Sequence, residues 1–317
     1  MLRIKLKVMF IFLLLFVLNS CVQNDRVLAS GETQNEAIFT ITDIPALKPT
    51  ATETLVPTPT EDVRPLPENW KEWSIIPTFS QHALEIYQSG LEIGNNPNHF
   101  SKVGDCQNTT GFFLGIFDNP RGAKEYRLGD EYEYLQETID YFAGSFNRQS
   151  KAVKGGSNVA YVLNAMYSDP EECESGETPL ACEVRLYQPS FAIVRMEKWG
   201  KKPIEQYEMY MREIIEFLIS KGVVPILVTK ADNSEGDHSV NLTIANLAYE
   251  YDIPMWNFWA AAWPLPEHGL RDDGFHLRVG YIQFDNPEAM KLGWPVCNLT
   301  ALQTLNAARE FAEDMEG

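Results

Sequence analysis

Basic residues are scarce in this chain: 26 Lys and Arg stand against 44 Asp and Glu in 317 residues, a formal net charge of −18. A surface so short of cations is poorly suited to neutralising phosphates, which argues against nucleic acid as a partner. Cysteine is scarce as well, and five in a chain of this length are too few for a disulfide scaffold. The five histidines show no metal-ligand spacing, so neither a metal nor a cofactor is expected. Apolar surface is what the chain has in quantity. With 44% hydrophobic residues, 7 Trp and 13 Tyr, it can bury a sizeable core and is not compositionally disordered.

The only long apolar run is at the start. Arg3, Lys5 and Lys7 precede an almost unbroken apolar stretch from Val8 to Leu18. This is too short to span a bilayer comfortably and has the layout of a secretory signal over residues 1–20. Its ending, Leu18-Asn19-Ser20-Cys21, resembles the bacterial lipobox, in which the cysteine becomes the lipid-bearing N-terminus. The resemblance implies an extracytoplasmic protein anchored to the bacterial cell membrane through Cys21, since more than one acyl chain makes a stable anchor. From there to Leu66 the composition is rich in Thr, Pro, Glu and Ala, a spacer with little to bury. The folded domain is expected over residues 67–317.

Within that domain, three apolar runs read as buried strands: Phe191 to Arg195, Val223 to Thr229, and Pro254 to Trp259. Between the first two, Tyr207, Met211, Ile214, Ile215 and Leu218 fall at helical spacing over Ile204 to Lys221, closed by Gly222. A second helix is expected over Asn241 to Tyr251. A third is expected from Asn298, read as its N-cap, to Met315. Strand, helix and strand at short intervals predict a three-layer α/β/α domain with a parallel sheet, and in such folds ligands sit beyond the carboxyl ends of the strands.

Two blocks carry chemistry. The first is Gly104-Asp105-Cys106, and the second is Asp273-Gly274-Phe275-His276 near the end of the chain. An Asp three residues before a His can reach it within one turn, fix the imidazole tautomer and stabilise its cation. Together, and in this order, the blocks resemble the SGNH, or GDSL, hydrolase family, with Cys106 standing where the family has its nucleophilic serine. The resemblance covers about Phe100 to the C-terminus. It implies the flavodoxin-like α/β/α fold of that family and a role in ester hydrolysis or acyl transfer: Cys106 would attack, His276 would be the base and Asp273 would orient it. The family's second block supplies a backbone oxyanion donor, matched by Gly155 in Val153-Lys154-Gly155-Gly156, alongside the N–H of Cys106. Its third block, Gly-x-Asn-Asp, is not matched after Phe191 to Val194. There the chain reads Arg195-Met196-Glu197-Lys198-Trp199, without the oxyanion asparagine. The implied substrate is an ester, such as an O-acylated carbohydrate. The altered nucleophile and the missing asparagine equally suit an inactive member kept as a binding or scaffolding lipoprotein. A two-lobed solute-binding protein fits less well, because only one set of strands is found.

The remaining cysteines bear on that choice. Cys173 and Cys182 flank a loop-like stretch and are expected to form a disulfide. Cys106 and Cys297 are either free or bonded to each other, and a bond would end the nucleophile reading. Asp232, Asn233, Glu235 and Asp237 read as a solvated acidic turn. Trp263 is a candidate wall of a carbohydrate cleft.

Overall fold

A computed structural model describes residues 64–118 and 126–313. The expected signal segment, Cys21 and nearly all of the spacer lie outside them. Arg64 already packs on the domain, its guanidinium donating to the Tyr249 carbonyl at 2.9 Å and to Asp252 at 2.7 Å. No helix among the described residues is long and apolar enough to cross a membrane.

Four parallel strands form one sheet in the order β1 (Asn96–Gly104), β2 (Pro189–Arg195), β3 (Val224–Val228), β4 (Met255–Trp256). Every residue of β2 and β3 is buried, as expected of strands covered on both faces. On its free side β1 gains a single parallel bridge, Gly104 to Val153. The helices α1 (Gln81–Glu92), α2 (Leu135–Tyr141), α3 (Pro179–Tyr187), α4 (Ile204–Ser220), α5 (Ser239–Glu250), α6 (Phe258–Ala262) and α7 (Gly293–Glu313) flank the sheet in an α/β/α arrangement.

The helix expected from Ile204 is α4, and the five apolar residues at its helical spacing are all buried. Truncating one of them, such as Ile214 to alanine, would cost about 2–5 kcal/mol. Tyr87 of α1 stacks on Phe191 of β2 and meets Phe311 of α7 edge-on, so the two helices share one core. The disulfide expected between Cys173 and Cys182 is present and staples the excursion before α3.

Two expectations are corrected. The apolar run from Pro254 is strand only at Met255–Trp256, because the buried side chain of Asn257 caps α6 by accepting from Ala260 and anchors the turn through donations to the Trp70 and Trp73 carbonyls. Asn298 is no cap. The last helix begins five residues earlier, at Gly293, and Asn298 is buried inside it. Its amide accepts from the Leu114 N–H at 2.7 Å and donates to the carbonyls of Phe112 and Trp294. A side chain that looks like a helix start thus fastens the loop that follows Cys106.

Candidate active site

Cys106 sits directly beyond the carboxyl end of β1, held there by close backbone packing. At Gly104 a side chain would collide with the Asn108 amide and the Arg195 carbonyl, so only glycine lets the Asn108 side chain donate to that carbonyl at 2.8 Å. Asp105 is buried and bridges two strand ends. One oxygen accepts from the Gln107 N–H at 2.8 Å, capping the short turn Cys106–Asn108, and the other accepts from the Glu197 N–H at 2.9 Å. Burial pushes the Asp105 carboxyl pKa up, against those two amides and the charges of Arg195 and Lys230.

The thiol of Cys106 is partly exposed and free, and Cys297 is free as well. Cys297 is fully buried in α7, where it accepts from Arg195 Nη1 at 3.3 Å. The alternative of a Cys106–Cys297 bond is thereby set aside. Burial raises the Cys106 pKa, and the neighbouring Asp105 charge adds to this; the Gly156 backbone N–H opposes it. The amide that faces the thiol is thus that of Gly156, next in the chain to the expected Gly155. Both glycines are exposed and open on the Cβ side.

Asp273 and His276 meet as their spacing predicts. Asp273 Oδ2 lies 2.8 Å from His276 Nδ1, while Oδ1 accepts the Phe275 and His276 N–H groups at 3.0 and 2.9 Å. Gly274, at φ +67°, allows the chain to fold back so tightly. The His276 amide, the His276 ring and the Phe275 amide hold the Asp273 carboxyl well below its ordinary range. Asp272 makes only a marginal 3.5 Å contact with Arg278, so Asp273 is the carboxylate that bonds the His276 ring. The pair is half-exposed, at 45% and 51%. Among the described residues no hydrogen bond joins His276 to Cys106.

Behind Cys106 lies a cluster of buried charge. Asp232 and Glu235 do not form a solvated turn: their side chains are only 1% and 5% exposed, packed around Lys230 at 3.1 and 3.2 Å. Glu197 completes the set at 2.8 Å from the same ammonium. Desolvation works against the Lys230 charge, but the three carboxylates outweigh it and raise its pKa. Glu197 goes the other way for an acid, pushed up to about 7 by burial despite Lys230. Arg195, 3% exposed, lies over the Phe258 ring, and its Nε and Nη2 have no partner among the described residues. Nothing in the local pattern Arg-Met-Glu or Asp-Asn-Ser-Glu signals this convergence.

A groove of about 910 Å³ opens at Gly155 and Gly156, with Tyr161, Tyr167 and Trp199 along it. A second, smaller cavity of about 490 Å³ lies between Phe112, Val279 and Trp294. Cys106, Asp273 and His276 line neither. Trp263 does not line the groove; its ring stacks on His268 at 4.0 Å and on Trp259 at 4.7 Å. No protein-family model matches the chain, and no curated protein does.

Proposed function

We propose that this chain is an SGNH-like ester hydrolase or acyltransferase, carried outside the cytoplasm on a lipid attached to Cys21, and that its substrate is an O-acylated carbohydrate. The observation that supports this best is the Asp273–His276 hydrogen bond: it fixes one ring nitrogen of the imidazole and leaves the other to take a proton. Cys106, beyond the end of β1, is the nucleophile. Because burial raises the thiol pKa, attack needs His276 to remove the proton as the sulfur–carbon bond forms. The tetrahedral oxyanion would be held by the N–H groups of Cys106 and Gly156. His276 then returns the proton to the departing alcohol, and water or a second alcohol cleaves the thioester. The absent third donor is worth about 10²–10³ in rate, so turnover should be slow.

A second reading, a binding lipoprotein of the same fold, is favoured by one specific feature: no hydrogen bond links Cys106 to His276, and the thiol is shifted away from thiolate. A chromogenic ester series on residues 64–317 separates the two. Activity abolished by Cys106→Ala and by His276→Ala supports the enzyme, whereas wild type and both variants equally inert at all acyl lengths rules it out. Lipid attachment is tested on the full chain expressed in bacteria fed labelled fatty acid. Label should enter the wild type and be lost in Cys21→Ser; equal labelling would refute the anchor.

A further inference from the structure

We propose that the groove beside Cys106 binds an acidic glycan, a polysaccharide segment bearing uronic carboxylates, with sugar rings stacked on Trp199 and Tyr167 and a carboxylate on Lys154. This names the substrate class of the site and rests on the preceding reading only for the acyl group to be transferred, not for binding.

Three observations carry it. First, Trp199 is 44% and Tyr167 is 52% exposed, and both face the same groove. Large rings left in water beside a concave surface mark a binding site more often than a packing defect. Asn158, Asn164 and Ser157 stand among them, so apolar ring faces alternate with hydrogen-bonding groups, the pattern presented by a sugar's C–H face and hydroxyl edge.

Second, the local charge runs against that of the whole chain. Lys154 Nζ lies 5.4 and 5.8 Å from the ring centroids of Tyr161 and Tyr167, and Lys202 Nζ lies 5.4 Å from that of Trp199. Neither ammonium forms an ion pair with a carboxylate among the described residues, in a chain with 44 acidic groups to offer. Of the two, Lys154 lines the groove itself, whereas Lys202 lies over the ring of the lining Trp199; a lining ammonium left unpaired in an acidic protein is placed for an anionic ligand. Screening confines the general repulsion of the net charge of −18 to about 8 Å at physiological salt, so the potential inside the groove is set by the charges that line it, Lys154 and Glu213. Glu213, the acid on the α4 wall, is suited to accept from sugar hydroxyls.

Third, the groove is built rather than incidental. On one wall, Gly176 and Thr178 lie inside the loop closed by the Cys173–Cys182 disulfide. The groove runs to Gly156, whose amide faces the Cys106 thiol, so a bound chain would bring its ester to the nucleophile.

The test is calorimetric titration of residues 64–317 with a galacturonate hexamer and, separately, with a neutral cellulose hexamer. The acidic hexamer should bind, and the neutral one should bind at least tenfold more weakly. Lys154→Gln should weaken the acidic hexamer about fivefold, as expected for a partly exposed ion pair, and raising salt should do the same. Trp199→Ala should cost at least about tenfold. These residues are exposed, so the variants should fold, and circular dichroism checks it. No binding of the acidic hexamer, equal affinity for both hexamers, or an affinity indifferent to Lys154→Gln overturns the proposal. Titration needs no turnover. An inert chain that binds the acidic hexamer refutes only the enzyme reading, and an active chain that does not bind it refutes only this one.

Discussion

The two halves of the candidate site are held in opposite ways. Around Cys106 the strand ends are tied by buried charge: Asp105 bridges β1 to the residues after β2, and Lys230 gathers Glu197, Asp232 and Glu235. Around His276 a single half-exposed turn makes its own hydrogen bonds and borrows little from the rest of the fold. One half is assembled by tertiary structure, the other by four consecutive residues. The difference implies that stability is invested on the Cys106 side, while the His276 side can carry chemistry at little structural cost.

The sharpest way to break this contrast is to remove Lys230. Lys230→Met would leave three buried carboxylates without their cation, and we expect a loss of about 3–5 kcal/mol in unfolding free energy by urea titration. A loss below about 1 kcal/mol would show that the cluster is solvated and the contrast false.

Two buried groups then give the contrast a pH signature. Glu197, at about 7, lies above its ordinary value of 4.5. The stability it contributes is therefore complete below 4.5 and is lost as pH rises through 7. Lys102 is fully buried in β1, donating to the Phe146 carbonyl, and burial first, then Arg148, lowers its pKa to about 7. Its folded form gives up a proton that the unfolded chain keeps up to 10.5, so its contribution is lost as pH falls and regained as pH rises from 7 to 10.5. Melting temperature against pH should therefore dip near 7. Glu197→Gln should flatten the acid limb, and Lys102→Met the alkaline limb, by an amount on the order of 3 kcal/mol. Unchanged limbs in both variants would contradict the shifts.

The smallest structural effect is expected on the other side. Asp273→Asn should leave the unfolding midpoint where it is, yet cut ester turnover at least about a hundredfold by releasing the imidazole tautomer. A lowered midpoint with unchanged turnover would reverse the roles assigned to the two halves.

These opposite constructions also explain what could be read in advance. The turn Asp273 to His276 was legible because its contacts are local and follow from spacing alone. The strands β2 and β3 and the helix α4 were legible because an unbroken apolar run and a helical apolar period each have one structural solution in a parallel sheet. The run after Pro254 departs from the single strand expected because apolar residues there serve first a strand and then a helix, and the switch depends on what Asn257 caps. The burial of Asp232 and Glu235 is not legible locally, because a polar, glycine-containing stretch has the composition of a solvated turn. Only the arrival of Lys230 at its centre makes burial tolerable. Asn298 shows the same limit, since its partners Leu114 and Phe112 are more than 180 residues away along the chain.

By itself, then, the sequence determined the parallel α/β architecture, the Cys173–Cys182 staple and the meeting of Asp273 with His276, all set by periodicity or by short-range geometry. Tertiary structure alone decided that Cys106 and Cys297 stay apart, that buried charge lies behind Cys106, and that the aromatic groove lies at Trp199 instead of Trp263. Those outcomes depend on which distant groups share a low-dielectric interior or a surface concavity, and no local pattern encodes that.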